Sequence, residues 1–118
     1  MLNIIIAGGR DFNDYELLKR TVNQFLINNS EDDPCIVCGR ARGADTLGEK
    51  FARDYNYRIL YFPANWNTYG KSAGFIRNVE MAENADVLIA FWDGKSPGTK
   101  NMIETARKHG LSVLVQEY

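Results

Sequence analysis

The segment LNIIIAGGRD, residues 2–11, is the strongest indication of the architecture, because a short β-branched run ends there in a glycine turn. The same arrangement returns in CIVCGRARGAD, residues 35–45, and in VLIAFWDGKSPGT, residues 87–99. Each apolar run is typical of a buried parallel strand, and each turn leads into a helical pattern. In an open parallel sheet such turns emerge at the carboxyl edge, where they converge around one ligand. With the free N–H groups of the helix starts, they predict one anion site.

Strand-like and helix-like segments alternate along the chain, which is typical of repeated βα units. The predicted strands are Leu2–Ala7, Cys35–Cys38, Arg58–Phe62, Val87–Trp92 and Leu111–Val115. Right-handed crossovers leave few arrangements, and we expect the strand order 3-2-1-4-5 because it sets the first and fourth turns beside the switch point. The predicted fold class is α/β, a Rossmann-like three-layer fold with a five-stranded parallel sheet.

Helix caps and faces follow from the residues between the strands. Asn13 with Glu16 is a candidate capping pair for the first helix, Asp11 is expected to cap a helix start, and Thr99 is a candidate cap for the last helix. The third helix is expected over about 73–84, and its predicted inward residues are Phe75, Ile76, Val79 and Ala82. The connection 63–72 is long for this type of fold, and long ordered connections are often functional.

Composition and charge limit the function classes. With 118 residues, 45% hydrophobic and 25% charged, the chain fits a single domain over residues 1–118. The net charge is −1 and no stretch concentrates Lys or Arg, so a nucleic-acid polymer is not expected as a partner. Residues 1–6 lack a basic region and are too short an apolar run for a signal peptide or membrane span. We therefore expect a cytoplasmic protein with no membrane partner.

Cys35 and Cys38 form a CxxC pair, but positions three apart on a strand face opposite sides of the sheet. A zinc site would lack ligands, because there is no second cysteine pair and the one histidine is His109. Two buried structural thiols are the better interpretation. The first turn also lacks G-x-G-x-x-G, the motif by which a conventional Rossmann fold binds intact NAD. The sequence therefore predicts no cofactor, and the missing zinc ligands predict no metal.

Five motifs in fixed order carry a family resemblance. They are Gly8-Gly9-Arg10-Asp11-Phe12, Gly39-x-Ala41-Arg42-Gly43-Ala44-Asp45, Pro63-Ala64-x-Trp66, Ala73-Gly74-x-x-Arg77-Asn78-x-x-Met81 and Gly98-Thr99. The set resembles the YspA-like branch of the SLOG superfamily over Gly8 to Val115. The resemblance implies a Rossmann-like fold that binds nucleotides or nucleotide-derived ligands. The predicted ligand-binding residues are Gly8, Gly9, Arg10, Gly39, Arg42, Gly43, Asp45, Arg77, Asn78, Gly98 and Thr99.

Enzymatic activity is not carried over from the LOG enzymes of that superfamily, which are phosphoribohydrolases. Arg77 and Met81 match their arginine motif, and Gly98-Thr99 matches the end of their glycine-rich turn. Their catalytic glutamate has no match, since Glu104 lies about one helical turn away from the expected place. Without that carboxylate, an oxocarbenium-like transition state loses a main stabilising group. No catalytic residue is assigned.

Several candidate residues have two interpretations. Arg77 either clamps a phosphate or pairs with Glu80 on the helix surface. Arg10 and Arg42 either contact a phosphate or are solvated loop charges, and Asp45 either binds a ribose hydroxyl or caps its helix. Two aromatic residues of the long connection either stack on a base or pin the connection to the core: Trp66 and Tyr69.

These observations support three hypotheses. The first is a sensor or sequestering module for a nucleotide-derived phosphate ligand such as AMP or an ADP-ribose derivative. The second is an N-glycosidic hydrolase acting on nucleoside monophosphates, with Glu104 or an acid of the first turns in place of the missing glutamate. The third is a protein-interaction scaffold. The resemblance also makes a homodimer or larger homo-oligomer a reasonable expectation.

Overall fold

A five-stranded parallel sheet runs through the computed structural model, which describes residues 2–118. Its order is β3-β2-β1-β4-β5, and the fold is α/β and Rossmann-like, so both the predicted fold class and the predicted strand order are confirmed. The strands are β1 Asn3–Gly8, β2 Cys35–Cys38, β3 Arg58–Tyr61, β4 Val87–Trp92 and β5 Ser112–Glu117.

The central strands are buried on both faces, as their continuous β-branched runs predict. Ile4 of β1 pairs with Ile36 of β2 on one side and with Val87 of β4 on the other. Ile4, Ile5 and Ile6 are fully buried. The outer strands β3 and β5 are partly exposed, which suits their positions at the two edges of the sheet.

Helices cover both faces of the sheet and complete three layers. They are α1 Tyr15–Asn28, α2 Ala44–Asp54, α3 Trp66–Tyr69, α4 Ala73–Glu83 and α5 Pro97–Lys108. Leu18 of α1 and Phe51 of α2 pack with Ile4 and Ile6 on one face. Met81 of α4 and Met102 of α5 pack with Ile5 on the other.

The long connection after β3 contains structure that the sequence did not predict. The helix α3 occupies residues 66–69 and a 3-10 turn follows at Gly70–Ser72. The helix begins there because Asn65 Oδ1 accepts a hydrogen bond of 3.1 Å from the N–H of Thr68. This connection leads directly into α4 and lies at the carboxyl edge of the sheet.

The predicted helix caps were wrong by a few positions. Asp14 caps α1, because its Oδ1 accepts a 3.0 Å hydrogen bond from the N–H of Leu17. Neither the Asn13–Glu16 pair nor Asp11 caps this helix. The last helix begins at Pro97 with Ser96 as its N-cap residue, so Thr99 lies inside the first turn. A proline at the first helical position sets the backbone angle there, which explains the earlier start.

The inward face of α4 is rotated from the predicted one. Phe75 and Val79 are exposed, so their predicted burial was wrong. The buried residues of α4 are Ala73, Asn78, Met81 and Ala82. The buried face includes a polar contact, because Asn78 Nδ2 donates a 2.9 Å hydrogen bond to Asn101 Oδ1 on α5.

Both cysteines are buried free thiols, as predicted. Burial raises the pKa of the Cys35 thiol and also that of Cys38, so both remain protonated at neutral pH. Among residues 2–118, no helix has the length and apolar character needed to cross a membrane.

Candidate functional site

A cleft of about 610 Å³ lies at the carboxyl edge of the sheet. The turns after β1, β2 and β4 form it together with α4 and the connection that precedes α4. Every predicted ligand-binding residue except Gly9 and Gly43 lines this cleft: Gly8, Arg10, Gly39, Arg42, Asp45, Arg77, Asn78, Gly98 and Thr99. The predicted convergence of distant turns is therefore present in the structure.

Gly9 and Gly43 pack the first two turns against each other beside the cleft. Gly43 has a φ of +77°, and a Cβ there would collide with the Gly9 carbonyl oxygen and lie 2.8 Å from the Arg10 backbone. The N–H of Ala44 donates to the same Gly9 carbonyl at 3.4 Å. Glycine is required at position 43 because the two backbones touch.

Gly39 is held at both ends of its backbone. Its N–H donates to Asp45 Oδ2 at 3.2 Å, and its carbonyl accepts a 2.6 Å hydrogen bond from Arg77 Nη1. A Cβ on Gly39 would lie 2.6 Å from Arg77 Nη1 and 2.9 Å from Asp45 Oδ2. The second turn is thus fixed between α2 and α4.

Asp45 organises this turn instead of capping its helix. Its side chain is 4% exposed, and Oδ2 also accepts a long hydrogen bond of 3.5 Å from the N–H of Ala41. Burial raises the pKa of Asp45 to about 6, although Arg77 and the two backbone N–H groups favour its charged form. Gly43 is the N-cap residue of α2.

Arg77 is mostly engaged within the protein. Burial lowers its pKa, while the nearby Asp45 carboxylate opposes that effect. Nε donates to Asn78 Oδ1 at 3.0 Å in addition to the bond from Nη1 to Gly39. The structure shows no pairing with Glu80 among residues 2–118. Arg77 therefore retains only part of its donor capacity for a ligand.

Three other cations line the cleft without partners: Arg10, Arg42 and Lys71. All three are exposed, and within residues 2–118 their side chains make no hydrogen bond or ion pair. Lys71 lies in the 3-10 turn before α4, where no sequence motif singled it out. Its convergence with Arg10 and Arg42 depends on the tertiary fold alone.

Arg40 also lines the cleft but is held in place. Its Nε lies 3.4 Å from Glu49 Oε1, and its guanidinium lies 4.6 Å from the centre of the Tyr61 ring. The backbone of Arg40 has a φ of +57°, which non-glycine residues rarely adopt. The sequence analysis missed this residue because its partners come from α2 and β3.

The first turn of α5 adds partial positive charge to the cleft. Asp93 Oδ1 accepts 2.8 Å hydrogen bonds from the N–H groups of Lys95 and Ser96, which shapes the turn before the helix. The next two N–H groups, those of Gly98 and Thr99, belong to the helix start and have no intrahelical acceptor. Such groups favour an anion.

The acids proposed as substitutes for a catalytic glutamate lie elsewhere. Glu104 is exposed on α5 and is not part of the cleft lining. Asp11 is also outside the lining, and its Oδ1 accepts a 2.7 Å hydrogen bond from the hydroxyl of Tyr118. Among residues 2–118, the cleft lining contains no acid other than Asp45, which is buried and bonded to backbone.

Of the two aromatic residues singled out in the long connection, only Trp66 lines the cleft. It is exposed, so it does not pin the connection to the core. Tyr69 is exposed too, but it lies outside the lining. Phe75, which was predicted to be buried, is exposed and lines the cleft beside α4.

A parallel sheet of order 3-2-1-4-5 whose glycine turns line a cationic cleft at its carboxyl edge defines a Rossmann-like domain with a candidate anion site. The chain belongs to the YspA, cpYpsA-related SLOG family, whose sequence model matches residues 2–69. It is 33% identical over 123 residues to the Gene 61 protein of Mycobacterium phage D29, covering 97% of this chain and 95% of the phage protein. The family resemblance predicted from the five motifs is confirmed.

Two solved structures of DNA processing protein A (DprA) share the fold. The Streptococcus pneumoniae protein superposes with a TM-score of 0.70 at 17% identity, covering 97% of this chain and 49% of that chain. The Helicobacter pylori protein superposes with a TM-score of 0.62 at 20% identity, covering 97% of this chain and 64% of that chain. The chain thus spans less than two thirds of either DprA.

These neighbours overturn two predictions about ligand and partner. The H. pylori DprA binds single-stranded DNA. Binding of a small nucleotide-derived ligand, with its hydrolase alternative, is not supported, and the exclusion of nucleic-acid polymers was wrong. The partner prediction failed because it used the net charge of the chain and a search for basic stretches. Neither measure detects cations that are distant in the sequence and come together only in the folded protein.

Proposed function

We propose that this protein binds single-stranded DNA in the cleft at the carboxyl edge of the sheet. The observation that carries the proposal is the convergence of three unpaired cations from distant segments: Arg10, Arg42 and Lys71. The shared fold with H. pylori DprA, which binds single-stranded DNA, supports the same ligand class.

Phosphate is the group that these cations suit best. Lys and Arg side chains that lack protein partners neutralise backbone phosphates and release counterions, which drives nucleic-acid binding. Within the described residues 2–118, the one acidic residue of the lining is Asp45, which is buried and turned toward the backbone of the second turn. The net charge of −1 for the whole chain therefore does not describe the local charge of the cleft.

Backbone contacts fix the turns that carry two of these cations, Arg10 and Arg42. Arg42 lies in the turn that Asp45 and Arg77 hold through Gly39, and the Arg10 turn packs on the same segment through Gly43. Backbone held this way loses less conformational freedom on binding than the backbone of a loose loop. The start of α5 adds two backbone N–H groups that can receive one phosphate.

The direct test is fluorescence anisotropy with a labelled oligothymidine at low salt. We expect binding that weakens as salt rises, and a loss of about fivefold or more for Arg42→Ala if its phosphate contact is charge-assisted. Arg107→Ala is the matched control, because Arg107 is an exposed arginine in the last turn of α5, outside the cleft. Absence of binding, or equal losses in the two variants, would refute the proposal.

Other predictions from the sequence also remain proposals. They are the cytoplasmic location, the organisation of residues 1–118 as one domain, and the homo-oligomeric state. None of them is needed for the binding experiment, which uses the protein as a whole chain.

A further inference from the structure

Two large aromatic side chains face the solvent inside the cleft. Trp66 is 55% exposed and Phe75 is 54% exposed, and both line the same cavity as the unpaired cations. Neither side chain belongs to the two hydrophobic clusters that form the core. Their exposure therefore has no explanation in the packing of the core, and an exposed aromatic pair in a cleft is typical of a binding surface.

Trp66 lies against the first turn of α4. A Cβ at Gly74 would lie 3.7 Å from Trp66 Cη2 and 4.0 Å from Arg77 Nη2. The indole edge and the guanidinium therefore flank the same glycine. Within residues 2–118, Nη2 has no hydrogen-bond partner, whereas Nη1 and Nε are bonded. An aromatic face beside a free guanidinium donor is a surface that suits a nucleobase.

We propose that Trp66 and Phe75 form a base-stacking subsite, so that the cleft selects strands with unpaired bases over duplexes. This inference rests on the proposed function. It adds that the aromatic side chains contact the bases of the strand, whereas the cations contact its phosphates. In a duplex, each internal base has both faces covered by its neighbours and cannot stack on a side chain without leaving the helix. In a single strand the base faces are available, and stacking on aromatic residues is tolerant of sequence.

The experiment uses three ligands of equal length. They are an oligothymidine, the same backbone with tetrahydrofuran abasic sites throughout, and the corresponding duplex, each measured by anisotropy and by intrinsic fluorescence. The chain has two tryptophans, so Trp66→Phe leaves Trp92 as the remaining reporter. We expect oligothymidine to quench the fluorescence of the wild-type protein, and this quenching to be largely lost in Trp66→Phe.

The affinities of the variants distinguish base stacking from binding of the phosphate backbone. Trp66→Ala is expected to weaken oligothymidine binding about tenfold and to leave binding of the abasic strand nearly unchanged. Phe75→Ala tests the subsite independently, since it changes a different helix. The matched control is Tyr69→Ala, which removes an aromatic side chain that is 47% exposed in the same short helix but outside the cleft.

Each outcome bears on a specific claim. If the wild-type protein binds the abasic strand or the duplex as tightly as oligothymidine, the base-stacking subsite is refuted while phosphate binding stands. The subsite is also refuted if Trp66→Ala and Phe75→Ala each weaken all three ligands equally. Failure of every strand to bind would refute the proposed function itself, and the subsite with it.

Discussion

Arg77 on α4 donates a 2.6 Å hydrogen bond to the carbonyl of Gly39, which lies in the turn after β2. Asp45 accepts from the N–H of the same glycine. Two ionisable side chains from different helices thus hold one backbone segment from both ends. The turn they fix carries Arg42, so the two buried hydrogen bonds to Gly39 and the exposed cation of the cleft belong to one structural unit.

Replacing Arg77 should destabilise the protein. Arg77→Ala leaves the buried Asp45 carboxylate without its nearby cation and the Gly39 carbonyl without its donor. The expected loss in the free energy of unfolding is about 2 to 4 kcal/mol. Urea denaturation measures this value, and Arg107→Ala is the control, with an expected change within about 0.5 kcal/mol. Equal stability of Arg77→Ala and the wild-type protein would contradict the role of Arg77.

Asp45 should make stability depend on pH in a specific direction. Burial raises its native pKa to about 6 from the ordinary value of 3.8, so the native state binds more protons than the unfolded state between those values. The Asp45 contribution to the free energy of unfolding should therefore decrease as pH rises from about 4 to 6, and level off above about 7.

Denaturation of the wild-type protein and of Asp45→Asn across pH 4 to 7.5 isolates this contribution, because other titrating groups are common to both proteins. As pH rises through this range, the free energy of unfolding of the wild-type protein should fall relative to that of Asp45→Asn. A constant difference, or a shift in the opposite direction, would show that burial does not raise the pKa of Asp45.

Replacement by alanine should affect stability differently at Gly43 and at Gly98. Gly43→Ala places a Cβ against the Gly9 carbonyl at a φ of +77°, so we expect a loss of more than about 2 kcal/mol in stability. A Cβ at Gly98 meets no atom within 4 Å, and the position lies in the first turn of α5. Gly98→Ala should be neutral or slightly stabilising by thermal denaturation. A similar loss in both variants would argue against turn-on-turn packing.

Tyr118 should support the Arg10 turn from outside the cleft. Its hydroxyl donates to Asp11 Oδ1 at 2.7 Å, and its ring packs edge-on against Phe12 at 4.7 Å between centroids. Tyr118→Phe frees the Asp11 carboxylate beside Arg10, so single-stranded DNA should bind severalfold more weakly, with a stability loss of about 1 kcal/mol.

Tyr57→Phe is the control for this prediction, because the Tyr57 hydroxyl makes no hydrogen bond within residues 2–118 and the residue lies far along the chain from the first turn. Isothermal titration with an oligothymidine compares the two variants. Unchanged affinity in Tyr118→Phe would mean that Asp11 exerts no influence on the cleft.

Local patterns were sufficient to predict the fold. The β-branched runs, the glycine turns and the helical spacing determined the strand order, because right-handed crossovers leave few alternatives. They also predicted that the turns holding Arg10, Arg42 and Gly98 would meet. Where a contact depended on one helix packing on another, the prediction failed, as for Phe75, whose helix buries Asn78 against Asn101 of α5 and leaves Phe75 exposed.

Local sequence patterns did not predict the charge or the ligand class of the cleft. Lys71 lies in a connection without a motif, and Arg40 depends on Glu49 and Tyr61 from other elements. The bond between Tyr118 and Asp11 joins residues 107 positions apart. Sequence spacing carries no information about such contacts, so the sequence placed Arg10 and Arg42 at one edge of the sheet but did not show that Lys71 also lines the cleft.

The salt dependence of binding to an oligothymidine shows whether the three unpaired cations of the cleft contact phosphates. Each phosphate contact with a single strand contributes a slope of about −0.7 to the plot of log K against log salt concentration. If Arg10, Arg42 and Lys71 each contact a phosphate, replacing all three by alanine should make the slope shallower by about 2 and greatly weaken binding. A slope and an affinity equal to those of the wild-type protein would contradict the account.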